Sequence, residues 1–135
     1  MAARILVVED NAANLELVRY LLAFSGYTVL LARDGAQGIA LAMQERPDLI
    51  VCDLQMPVFD GYQVLARLRE QAATDGYRPA IVAVTAFSMP HDQEKVMTAG
   101  FSGYLSKPIE PEKFVAQIEA YLPQALRSSR RPMDV

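Results

Sequence analysis

Residues 49–57 read Leu49-Ile50-Val51-Cys52-Asp53-Leu54-Gln55-Met56-Pro57, and this stretch decides the fold. Four apolar residues in a row, with no alternation, mark a strand buried on both faces, which belongs in a parallel sheet covered by helices. A carboxylate set directly after such a run needs a partner or a function, because burying an unpaired charge is costly. Asp53 is therefore both a strand end and the first candidate site residue.

Working outward, short apolar runs occupy 5–8, 27–32, 80–84 and 103–105, those at 5–8 and 80–84 nearly continuous in the same way, and longer helical patterns separate them. Five strands alternating with five helices predict an α/β domain of (βα)5 architecture. Leu15, Val18, Leu21 and Leu22 recur at helical spacing and stop before Gly26, a C-cap residue. Asp34 with Gln37, and Asp60 with Gln63, have the cap-then-Gln spacing that opens a helix. Helix two is expected to present Ile39 and Met43 inward and to end before Pro47, and helix three to present Val64, Leu65 and Leu68. Pro90 opens helix four and Gly100 ends it. Glu110-Pro111 opens helix five, with Phe114, Ile118, Tyr121 and Leu122 on one face and Pro123 as its stop.

The chain has 135 residues, enough for one domain with a sizeable core. One cysteine, Cys52, excludes an internal disulfide, and one histidine, His91, argues against transition-metal chemistry. Thirteen basic and sixteen acidic residues give a net charge of −3. Three arginines beyond residue 123 face only Asp134, so residues 1–123 carry −5. That excess excludes the basic field of a DNA-binding protein. Residues 124–135 read as a flexible basic tail, and no apolar run has the length of a membrane helix. These features predict a cytoplasmic protein without membrane attachment.

In open α/β sheets, ligands gather at the carboxyl ends of the strands. Here those ends carry Glu9-Asp10, Asp53, Thr85 and Ser106-Lys107-Pro108. Three carboxylates crowded together raise one another's pKa and are relieved by a hard divalent cation, which predicts Mg2+. With the charge lowered, a carboxylate can attack phosphorus and form an aspartyl phosphate, and Asp53 is the candidate nucleophile. Lys107 can pair with one phosphoryl oxygen and the Thr85 hydroxyl can donate to another.

The ordered motifs Leu6-Val7-Val8-Glu9-Asp10-Asn11, Asp53-Leu54-Gln55-Met56-Pro57 with Asp60-Gly61, Val84-Thr85-Ala86 and Gly103-Tyr104-Leu105-Ser106-Lys107-Pro108 resemble the receiver domain of two-component response regulators, in particular the single-domain chemotaxis type. The resemblance covers residues 4 to about 122. It implies a doubly wound, flavodoxin-like sheet of five parallel strands in the order 2-1-3-4-5. It makes Asp53 the phosphoacceptor, with Asp10, Asp53 and the backbone carbonyl of Gln55 as Mg2+ ligands and Glu9 acting through a metal-bound water; Mn2+ is a possible substitute. It further implies that Thr85 and Lys107 sense the phosphoryl group, that Tyr104 is the aromatic switch, that Gln55 and Phe87 tune the phosphoryl lifetime, and that the bond into Pro108 is cis.

The implied partner is a histidine kinase or a histidine phosphotransfer protein, and the implied output is a changed helix-four, strand-five, helix-five surface offered to a downstream protein. Met97 and Phe101 lie near that surface and fit either exposure or the core. The chain would be a signalling switch rather than a turnover enzyme, monomeric or a weak phosphorylation-dependent dimer. A receiver cut from a longer hybrid kinase or regulator, and a phosphorelay intermediate, stay open as alternatives. An aspartyl phosphatase is disfavoured because Gln55 stands where that chemistry needs a second acid, and the glycine-free loop after strand one excludes a nucleotide-binding glycine motif. Read singly, Glu9 and Asp10 are also plausible helix-cap partners, Cys52 a packed apolar residue and His91 a solvated one. If the chain is complete, its signal leaves through protein contact.

Overall fold

A computed structural model describes residues 3–86 and 89–127. The elements run β1 (Arg4–Val8), α1 (Ala12–Phe24), β2 (Thr28–Ala32), α2 (Gly35–Glu45), β3 (Leu49–Asp53), α3 (Gly61–Asp75), β4 (Ala80–Thr85), α4 (Pro90–Ala99), β5 (Gly103–Ser106) and α5 (Pro111–Glu119). The strands form one sheet in the order β2-β1-β3-β4-β5, and every pairing is parallel. This is the expected flavodoxin-like topology.

Successive strand residues point to opposite faces, so the continuous apolar runs supply two cores. Ile5, Val7, Leu49, Val51, Val82 and Val84 pack beneath α1 and α5. Leu6, Val8, Ile50, Cys52, Ile81 and Ala83 pack beneath α2, α3 and α4. The helix boundaries follow local chemistry. Asp60 and Gln63 form a reciprocal capping box at α3, and Asp34 accepts the Gln37 N–H at α2. Gly76 and Gly100 close α3 and α4 in the left-handed conformation, where a side chain would be strained.

Three sequence expectations need correction. α2 does not bury Met43, which is 38% exposed; it buries Gly35, Gly38 and Ala42. Close approach to the sheet is the reason, since a Cβ on Gly38 would meet Val8 Cγ2 at 2.8 Å. α5 ends at Glu119, so Tyr121 and Leu122 follow it in a turn, where the Tyr121 ring covers Gly103. Residues 124–127, assigned to the tail from sequence, are folded: Gln124–Leu126 form a 3-10 turn and Leu126 packs against the α1–α5 core. The rest of that expected tail, 128–135, lies outside the described residues. Of the two residues left open near α4, Phe101 is buried against the Tyr62 ring and Met97 is exposed.

Candidate functional site

The carboxyl ends of β1, β3, β4 and β5 meet at one rim because the strands are parallel and in register. Asp53 pairs with Val84, and Thr85 with Ser106. Backbone bonds carry that alignment past the strands, with Leu54 N–H donating to Val84 O and Lys107 N–H to Thr85 O at 2.8 Å. Glu9 continues β1 and donates its N–H to Ala32 O. The rim thus gathers Glu9, Asp10, Asp53, Thr85 and Lys107 from across the sequence.

Asp53 is 2% exposed and is held from two sides. Its Oδ1 accepts the Gln55 N–H at 3.1 Å, and its Oδ2 lies 3.1 Å from Lys107 Nζ. Lys107 also reaches Glu9 Oε1 at 3.4 Å, so one ammonium serves two carboxylates. Glu9 accepts the Asn11 N–H on its other oxygen. Helix α1 takes Asn11 as its cap, so neither Glu9 nor Asp10 is spent on that task.

Oxygens of Glu9, Asp10 and Asp53 lie within 4.8 Å of one another. The electrostatics follow from three clustered acids, two of which share Lys107. Burial pushes the Glu9 carboxyl up to about 7, and the Asp53 carboxylate beside it adds to the rise against the Asn11 N–H and Lys107. Burial works against the Lys107 ammonium, but the bond to Asp53 and the charges of Asp53 and Glu9 hold its pKa above the usual lysine value. This all-oxygen, electron-rich donor set suits a hard divalent cation, and Glu9 would give up its proton as the cation arrives.

Thr85 is buried at the end of β4, and its Oγ1 accepts from Gln55 Nε2 at 3.1 Å. Tyr104 is half-buried on β5, with its ring against the α2–α4 core. The Lys107–Pro108 peptide is cis. Phe87 lies outside the described residues. His91 projects into solvent, and Cys52 is fully buried, where burial raises its thiol pKa well above the usual value. The side-chain link between Gln55 and Thr85 was not anticipated, because the two stand 30 positions apart and only the β3–β4 pairing joins them. The apolar, 92%-exposed Val58 was also missed; it sits at φ 68°, a conformation a β-branched residue rarely adopts.

Residues 5–119 match the family model of the response regulator receiver domain. The chain is a receiver domain. It is 38% identical over 126 residues to the polar-differentiation response regulator DivK of Brucella anthropi, covering 93% of this receiver and all of that protein. The receiver domain of the sensor histidine kinase PA1611 from Pseudomonas aeruginosa, solved with a magnesium ion coordinated in its active-site cleft, superposes with a TM-score of 0.79 at 34% identity, covering 90% of this receiver and 98% of that one. The receiver domain of Ssk1 from Saccharomyces cerevisiae, solved with the histidine phosphotransfer protein Ypd1, superposes with a TM-score of 0.82 at 26% identity, covering 89% of this receiver and 88% of that chain. Among the described residues, no helix is long and apolar enough to cross a membrane.

Proposed function

We propose that this receiver accepts a phosphoryl group on Asp53 from a histidine kinase or a histidine phosphotransfer protein, with Mg2+ bound, and passes the signal to a downstream protein. The observation that carries this is the setting of Asp53: a buried carboxylate, oriented on one oxygen by Gln55 N–H and on the other by Lys107, beside two further acids.

Glu9, Asp10, Asp53 and the Gln55 backbone carbonyl would hold the cation, and Mn2+ is a chemically close substitute. When bound, the cation neutralises the carboxylates and the incoming phosphoryl oxygens. An Asp53 oxygen forms a bond to phosphorus as the phosphorus–nitrogen bond to the donor imidazole breaks. The bonding pair stays on that nitrogen, which picks up a proton. The product is an acyl phosphate, and attack by water returns Asp53 and inorganic phosphate. Lys107 then has a phosphoryl oxygen to pair with, and the Thr85 hydroxyl donates to another. Movement of Thr85 opens room that the half-buried Tyr104 ring can follow into. Gln55 and Phe87, two residues along the sequence from the acceptor and from the switch threonine, would tune how readily water attacks.

The changed surface comprises α4, β5 and α5. α4 suits that role because it buries only Val96 among its own residues, so few contacts oppose its movement. The receiver fold, with Leu126 packed on its core, forms the switching unit, acting as a monomer or a weak phosphorylation-dependent dimer, with no direct contact to DNA or membrane and no turnover of an external substrate. A second reading, a receiver carried by a longer kinase, draws support from the 34% identity to the PA1611 receiver, and a relay intermediate is its variant. Phosphotransfer profiling, reading both gain and loss of label, separates the two.

The direct test is labelling by acetyl phosphate with Mg2+. Wild type takes up label and Asp53→Asn takes up none; label persisting on Asp53→Asn overturns the assignment.

A further inference from the structure

Gln55 is exposed, yet its carboxamide turns back to the buried Thr85, with Nε2 donating to Oγ1 at 3.1 Å. Its backbone N–H meanwhile donates to Asp53 Oδ1 at the same distance. One residue therefore grips both the carboxylate that would carry the phosphoryl group and the hydroxyl that would sense it. β3 and β4 pair Asp53 with Val84, so Thr85 lies one step past the acceptor, within reach of a flexible side chain from the loop after β3.

We propose that the Gln55 carboxamide is a latch on Thr85: it holds the hydroxyl in its resting place, and phosphorylation must break this bond before Thr85 can close on the phosphoryl oxygen. The inference rests on the proposed chemistry at Asp53, and it makes Gln55 a positioning residue. A hydroxyl oxygen can accept one hydrogen bond while donating another, so the latch restrains where Oγ1 sits rather than where its proton points. Gln55 thereby biases the switch toward its resting state. A typical net hydrogen-bond contribution corresponds to about twofold to tenfold in the balance between two such positions.

The test uses Gln55→Leu, which keeps the bulk and the backbone N–H but removes the donor, with Gln55→Met as a second variant should the first fold poorly. In the metal-free protein, three-bond couplings report the Thr85 side-chain rotamer. Wild type should hold one rotamer and the variants a mixture, and an unchanged rotamer overturns the latch. Binding of beryllofluoride with Mg2+, a mimic of the phosphoryl group, is then measured with Thr85 and with Thr85→Ala. The variants should tighten binding by about twofold to tenfold when Thr85 is present and leave it unchanged when it is absent. An equal change in both backgrounds overturns the latch, because Gln55 would then act without Thr85. If wild type itself fails to bind beryllofluoride, the phosphoacceptor reading falls, while the rotamer measurement still decides the latch.

Discussion

The two ends of the sheet handle charge in opposite ways. At the amino ends of the strands, two arginines face acids and one buried acid accepts from a phenol. Arg4 donates from its backbone to Asp48 and from its guanidinium to Glu45, Arg46 lies 3.8 Å from Asp75, and the buried Glu119 accepts the Tyr27 hydroxyl. Arg46 also lies over the Tyr77 ring, whose hydroxyl donates to Pro47 O. At the carboxyl ends, Glu9 and Asp53 share Lys107 with Asp10 close by, and burial pushes the Glu9 carboxyl up to about 7. At one end, arginines and acids offset one another within the fold. The other leaves an excess of negative charge that an incoming cation can relieve, so its electrostatic cost becomes binding affinity.

Perturbing each end should therefore move different observables. The largest stability effect is expected at the amino end: Tyr27→Phe removes the hydroxyl that Glu119 accepts and should cost about 1–3 kcal/mol in denaturant unfolding, with acetyl phosphate labelling unchanged. A loss of labelling in that variant would break the separation of the two ends.

The next effect is a pH dependence at the crowded end. The folded Glu9 carboxyl keeps its proton to about pH 7, whereas its ordinary value is 4.5. Its contribution to stability is thus full below that ordinary value, declines as pH rises across the window, and is at its lowest above about 7. Thermal unfolding in EDTA should show this decline for wild type and a flatter profile for Glu9→Gln, and saturating Mg2+ should flatten wild type as well. Parallel profiles for the two proteins would show that Glu9 does not carry the effect. The smallest change is expected from Arg46→Gln, whose pair with Asp75 is long and half-exposed; it should cost less than about 1 kcal/mol and leave Mg2+ binding unchanged.

The central strands β1, β3 and β4 were legible because burial on both faces demands continuous apolar runs, and the caps at Asp34 and Asp60 because unpaired N–H groups demand a nearby acceptor. The charged rim was legible for the same kind of reason, since each of its residues ends a strand or lies within two residues of its end. The buried face of α2 was not. Its contacts depend on Gly35, Gly38 and Ala42 allowing close approach, and small residues leave no apolar periodicity to read. Glu119 was equally silent, because a glutamate among helix residues carries no mark of burial until Tyr27, 92 positions away, is brought to it. Phe101 also needed its neighbour: only the Tyr62 ring against it shows that it belongs to the core.

By itself, the order of residues determined the element sequence, the layering and which side chains end each strand, because these depend on contacts close along the chain and on a period of two or 3.6. Only the tertiary structure decided which oxygen of Asp53 meets Lys107 and which meets Gln55, that burial raises the Glu9 pKa, and that Gln55 donates to Thr85. Those relations depend on parallel strands laid side by side and on burial that removes water from between charges, and neither exists until the sheet has formed.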